Sequence, residues 1–159
     1  MTSATEIEFR ATPIDEGDGA ALAQAMRDEI AAIYDGMNLD SPRMPKAGAA
    51  ELGPPQGVFL VGYEAGGPVC CGGVKRLDDR HCELKRMYVV PDARGRGVAR
   101  RLLRALEDAA RELGYAVARL DTGPRQPEAR HLYESDGYAE IANFNGNPVA
   151  SFFGEKPLR

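Results

Sequence analysis

Apolar and polar positions change period several times along this chain, and each change marks an element. Ile7 and Phe9 alternate with Glu8 and Arg10, the period of two of a half-buried strand, here Glu6 to Ala11. Leu22, Met26, Ile30 and Ile33 then recur at intervals of four, four and three. That is one face of an amphipathic helix reaching about Tyr34, with Asp15 or Asp18 placed to cap it. Between Asp35 and Gly57, four prolines and four glycines break every regular pattern, leaving room only for a short helix at Ala47 to Leu52. A connection this long in a small domain is usually functional or mobile, and we read it as a flap on the substrate side.

Val58 to Glu64 and Val69 to Arg76 read as strands joined by Ala65-Gly66-Gly67-Pro68. Leu77 to His81 turns the chain into a third strand, Cys82 to Val90, and Pro91 ends the antiparallel meander. A turn at Arg94-Gly95-Arg96-Gly97 opens a helix whose buried stripe is Val98, Leu102, Ala105, Leu106, Ala109 and Leu113, stopped by Gly114. A strand at Ala116 to Asp121 follows, then a helix at Pro127 to Ser135 and strands at Tyr138 to Ile141 and Val149 to Phe153. This order predicts an α/β (mixed α+β) fold with a central mixed, mostly antiparallel sheet flanked by helices. We expect one domain over residues 1–159, with its motif-bearing core at about 58–141 and an acceptor-side segment at about 34–57.

The 159 residues, 43% of them hydrophobic and 28% charged, suffice for one packed core and exclude a largely disordered chain. No run of about 18 apolar residues exists to span a membrane, and the start MTSATEIEFR has no leader pattern. A formal net charge of -4 argues against a surface built for nucleic acid. Cys70 and Cys71 are adjacent and would point to opposite faces of a strand, a poor arrangement for one metal ion. We expect no metal, a reduced cytoplasmic setting and three packing thiols, Cys82 included.

The turn before the second long helix is the strongest chemical signal. A helix N-terminus presents unpaired backbone N–H groups and the positive end of the helix dipole, and glycines let an anion approach them. Gly95-x-Gly97 lacks the third glycine of a dinucleotide fingerprint and the Lys-Ser/Thr of a P-loop. What stands there is Arg94-Gly95-Arg96-Gly97-Val98-Ala99, of the form R-x-x-G-x-A.

With Tyr88-Val89-Val90-Pro91 before it and Leu102-Leu103 after it, this segment resembles the coenzyme A-binding motif of the GNAT family of N-acetyltransferases. Ala129, Leu132, Tyr133, Gly137 and Tyr138 match a second family pattern, A-x-x-L-Y-x-x-x-G-Y/F, at the proper separation. The family usually has asparagine three residues before that alanine, where Gln126 stands here. The resemblance spans the first strand to Phe153 and implies acetyl-CoA as co-substrate. It implies that the coenzyme binds on the turn Arg94 to Ala99, Gly95 included, with the pyrophosphate over Arg96, Gly97, Val98 and Ala99 and Arg94 at the entrance. Met87, Tyr88 and Val89 would line the pantetheine arm, with the Val89 amide on the thioester carbonyl and Gln126 a further coenzyme contact.

Acetyl transfer to an amine needs a base to free the amine and an acid for the departing thiolate. Glu83 lies eleven positions before Arg94, the spacing of the base glutamate in histone-type members, and by strand alternation it should share a face with Lys85, Met87 and Val89. Tyr133 is the acid that the resemblance implies. His81 and His131 read as surface residues. The expected function is acetyl transfer to a primary amine of a small molecule, amino acid or peptide, and a homodimer is common among such proteins.

Two other classes compete. One is a non-catalytic acyl-CoA-binding or sensor domain of the same fold. The other is a nucleic-acid binder using the arginines from Arg94 to Arg104, opposed by the acidic residues on that helix, where Glu107 and Arg111 read as a solvated i,i+4 pair. For the acceptor, Tyr34, Asn143, Asn145 and Asn147 could offer hydrogen bonds, while Asp35 and Asp40 could attract a cationic amine.

Overall fold

The computed structural model describes residues 6–158; the reading of residues 1–5 as free of a leader pattern lies outside them. The elements run β1 (Glu8–Ala11), α1 (Gly17–Ile33), β2 (Val58–Glu64), β3 (Gly67–Arg76) and β4 (His81–Val89). A 3-10 turn (Pro91–Ala93) leads to α2 (Val98–Glu112), β5 (Val117–Thr122), α3 (Pro127–Ser135), β6 (Ala139–Glu140) and β7 (Phe152–Pro157). Among the described residues, seven strands form one sheet in the order β1-β2-β3-β4-β5-β7-β6. Only β4 and β5 pair in parallel, since α2 carries the chain between them. No described helix is long and apolar enough to cross a membrane.

Strand alternation feeds two cores. On one face Leu60, Cys70, Val74 and Leu84 meet Val98, Leu102, Leu103 and Leu106 of α2, with Tyr133 and Phe152. On the other, Phe59, Val61 and Cys71 meet Leu22 and Ala23 of α1 and Leu52 of the long connection. Adjacent Cys70 and Cys71 thus serve opposite faces, as their spacing predicts.

Several expectations need correction. Ala47–Leu52 is not helical: one turn closes from Leu52 N–H to Gly48 O at 2.9 Å. Between Gly48 and the Gly53-Pro54 stop there are too few residues to repay helix nucleation. α1 is capped by neither aspartate; Glu16 is its N-cap without a side-chain bond, and Asp18 instead accepts from Tyr63 at 2.6 Å. The last strand begins at Phe152, not Val149, because the Asn147 side chain holds the amides of Val149 and Ala150 in a turn at 2.9 and 3.2 Å. The strand expected at Tyr138–Ile141 shrinks to Ala139–Glu140. Finally, Glu107 is not solvated. It is 2% exposed, accepts from Tyr138 Oη at 2.8 Å and from Lys156 Nζ at 3.0 Å, and Arg111 pairs with Asp108 instead.

Candidate active site

The site begins where the sheet parts. β4 and β5 pair only over His81–Glu83 and Val117–Arg119; beyond that β4 continues along β3 alone and β5 along β7. Cys70 stands opposite Val89, and Val90 N–H donates to Val69 O at 2.9 Å. In an antiparallel ladder this makes Val89 a non-hydrogen-bonded position, so its N–H and C=O face the gap. The carbonyl accepts Arg94 Nε at 2.9 Å.

A bulge adjusts which side chains face that gap. The β3–β4 register shifts between Cys71 and Gly73, and Arg86 sits at φ 58°, a left-handed conformation uncommon outside glycine. One extra residue on β4 reverses the alternation there. Leu84 before the bulge and Met87 and Val89 after it all pack toward α2, whereas Tyr88 packs toward α1. Glu83 therefore shares a face with Lys85, but not with Met87 and Val89 as simple alternation predicts.

Two cavities flank the parted strands. The larger, about 840 Å³, is lined by Met87, Tyr88, Val89, Arg94, Gly95, Gly97, Val98, Ala99 and Gln126. These are nine of the ten positions expected around a coenzyme. The tenth, Arg96, turns away and binds Glu64 through both terminal nitrogens, at 3.0 and 2.8 Å. Gly95 and Gly97 have φ of 81° and 78°, and a Cβ at either would meet no atom within 4 Å. The turn is therefore open toward the cavity. The Arg101 amide is already paired inside the helix, to Gly97 O at 3.2 Å, so the N–H groups preceding it are those a helix start leaves for a ligand. Such a cradle fits a pyrophosphate. Arg94 is also tied to Glu29 at 2.6 Å.

The smaller cavity, about 150 Å³, lies toward α1 and the long connection. The two cavities share Met87, Gln126, Ala129 and Tyr133 as lining residues. Tyr133 is 7% exposed, and its hydroxyl donates to Met87 Sδ at 3.6 Å. Burial first, then the nearby Asp121 charge, raises its pKa well above the ordinary tyrosine range. Gln126 accepts a hydrogen bond from Tyr34 Oη at 3.1 Å, which ties α1 to the start of α3.

Glu83 is 1% exposed and sits just behind the smaller cavity. Its Oε2 accepts from Lys85 Nζ at 3.0 Å and Asn145 Nδ2 at 2.8 Å, and among the described residues no donor reaches Oε1. Burial raises its pKa, the Lys85 ammonium opposes that, and the Asp121 charge adds to it. Asn145 Nδ2 also donates to Asp121 Oδ2 at 2.7 Å, linking the two carboxylates. Asp121, Lys85 and Arg86 line the cavity itself. Sequence reading passed over Asp121, though it lies two residues after Arg119, the β5 partner of Glu83, and so on the same face.

Other candidates fall away. Asn143 and Asn145 do not line the cavity, whereas Asn147 and Tyr34 do. Asp35 pairs with Arg125. His81, the first residue of β4, is held by Asp78 at 2.8 Å, while exposed His131 borders the larger cavity. Burial pushes Cys70 up to about 11, and Cys71 and Cys82 up to about 12, so none is an activated nucleophile.

A parted parallel strand pair, with an amide cradle on one side and a charged, apolar-walled hollow on the other, is an arrangement that suits an acyl-CoA-dependent acyltransferase. The chain belongs to the Acetyltransferase (GNAT) family, whose model matches residues 23–138. An IAA acetyltransferase of Azospirillum brasilense is 40% identical over 103 residues, covering 63% of this chain and 67% of that one. The N-acetyltransferase YjgM of Escherichia coli K12, itself uncharacterized, is 31% identical over 132 residues, 78% of each. A Klebsiella pneumoniae structure assigned to the acyl-CoA N-acyltransferases superposes with a TM-score of 0.76 at 27% identity, covering 96% of this chain and 98% of that one. The spermidine N-acetyltransferase of Vibrio cholerae, solved with CoA and spermine, shares the fold at 18% identity and TM-score 0.70, covering 96% and 95%.

Proposed function

We propose that this protein transfers the acetyl group of acetyl-CoA to the primary amine of a small molecule, amino acid or peptide by direct attack. The observation that carries the reading is the junction of the two cavities at Tyr133 and Met87. A coenzyme arm and an amine can meet only there. Related structures solved with coenzyme A, or with CoA and spermine, support both halves of the reaction.

Acetyl-CoA, when bound, supplies an activated thioester. The backbone amides from Gly97 to Arg100 receive the pyrophosphate, and Arg94 guards the entrance. Val89 N–H, facing the gap, holds the thioester carbonyl and stabilises negative charge developing on it. Glu83, acting through water, takes one proton from the ammonium, and Asp121 meets that ammonium at the cavity wall. The N–C bond then forms as the C–S bond breaks, Tyr133 gives its proton to the leaving sulfur, the nitrogen's second proton passes to Tyr133 to restore its hydroxyl, and Glu83 returns its own proton to water. With its pKa raised, the Tyr133 hydroxyl is a weaker acid than a thiol, so it donates only as the nitrogen's second proton replaces the one it gives up.

Two measurements test this. A ligand at about 100 Kd that binds only the native state stabilises it by about 2.7 kcal/mol. At a protein of this size that is a Tm rise of roughly 5–10 °C with acetyl-CoA. No shift at millimolar acetyl-CoA overturns the reading. Release of free coenzyme A thiol on adding an amine then separates the enzyme from a non-catalytic acyl-CoA sensor.

A further inference from the structure

The smaller cavity carries both signs of charge on its wall, where Asp121, Lys85 and Arg86 all stand. Lys85 pairs with Glu83, and Asn145 joins Glu83 to Asp121, so two carboxylates are matched by one ammonium. Around Arg86 the balance is reversed, for two guanidinium groups share one carboxylate: Asp40 Oδ2 lies 2.9 Å from Arg27 Nε, and Asp40 Oδ1 lies 3.5 Å from Arg86 Nη2. The Arg86 side chain is only 7% exposed and lines the cavity, whereas its partner Asp40 is 54% exposed and does not line it. A buried guanidinium with five donors and one long, shared ion pair has capacity for a second anion. Burial also pulls the Arg86 pKa down, the response of a cation short of counter-charge.

Much of the remaining wall is apolar. Met26, Ile30, Leu39, Met44 and Val149 line the space. An apolar protein cavity of about 150 Å³ holds a benzene ring, so there is room for one ring or branched alkyl group. A polyamine would place a second cation against Arg86 and is disfavoured.

We infer that this cavity selects a free, zwitterionic α-amino acid with an apolar side chain, its carboxylate held by Arg86 and its ammonium received by Asp121. The inference rests on the acetyl-transfer reading and narrows its acceptor. A peptide N-terminus or an amino-acid amide offers the same amine without the adjacent carboxylate.

Coenzyme A release from acetyl-CoA is measured with L-leucine, L-phenylalanine, L-leucinamide, L-glutamate and spermidine. We expect kcat/KM for leucine or phenylalanine to exceed that for leucinamide by roughly 10- to 100-fold, the size of a hydrogen bond to a charged group. Glutamate and spermidine should be poorer still. Arg86→Gln should collapse the leucine-to-leucinamide ratio toward one, and Arg86→Lys should keep part of it. 4-Methylpentanoate, which has the carboxylate and alkyl body but no amine, should inhibit competitively against leucine. This last measurement needs no variant, so it decides the matter even where Arg86→Gln fails to fold. If leucinamide or spermidine outruns leucine, or if 4-methylpentanoate does not compete, the inference is overturned while acetyl transfer stands. An acetyl-CoA thermal shift without thiol release from any of the five overturns both.

Discussion

Tyr133 carries a hydroxyl that the fold has withdrawn from water and aimed at Met87 Sδ, on the wall between the two cavities. Tyr133→Phe keeps the ring and removes only that hydroxyl. Turnover should fall about 10²–10⁴-fold with acetyl-CoA affinity nearly unchanged; a wild-type rate would remove Tyr133 as the acid. Glu83 is tested by pH. Its pKa is raised by burial, so its carboxylate form is lost as pH falls while ordinary glutamates, near 4.3, are still ionised. The acid limb of kcat/KM should therefore lie above the usual carboxylate range in the wild type and disappear in Glu83→Gln. That variant should be slow near neutrality and recover as rising pH deprotonates the amine without help. A purely structural Glu83 predicts a lowered Tm and an unchanged rate per folded molecule at every pH. Asp121→Asn should instead raise KM for the amine, because its carboxylate borders the cavity and its neighbours Asn145 and Asn147 can still pair with an amide.

At the scale of elements, the turn before α2 is held open by glycine conformations that a β-branched residue resists. Gly97 is the N-cap at φ 78°, where an L-residue costs roughly 1–2 kcal/mol. Gly97→Val should lower Tm by about 2–8 °C and, with its side chain in the space meant for an anion, abolish the acetyl-CoA shift. Retention of that shift would move the pyrophosphate elsewhere. This turn was legible in the sequence because its signal is local: two glycines, four arginines and a strongly periodic helix after it. So were both long helices and the β2–β4 meander. The acceptor side was not. Arg86 acquires its place only through a bulge created by pairing with β3, Asp121 only through the partner β5 takes beyond β4, and Asn145 only through a loop folded on its own Asx turns. The first two depend on residues far apart in the chain and the third on local side-chain turns, and periodicity reveals neither.

On the scale of the whole molecule, a buried polar knot joins the pieces behind the site. Glu107 of α2 binds Tyr138 and Lys156 of β7, and Lys156 also reaches Asp136 at the end of α3, at 3.1 Å. Removing one partner of a buried ion pair costs about 3–5 kcal/mol, so Glu107→Ala should lower Tm by roughly 6–20 °C. Its kcat should hold below that transition, and a Tm within 2 °C of wild type would show that the knot contributes little. The extra residue in β4 has a different reach. A strand that alternates strictly is in phase along its whole length, so any change of face at one end is felt at the other. The phase slip at Arg86 cuts that tie. Positions 83 and 85 answer to the amine side while 87 and 89 answer to the thioester side, on one continuous piece of backbone. Acceptor preference could then drift over generations, or be retuned in a library randomised at 85, 86 and 121, without re-solving the problem of gripping the coenzyme.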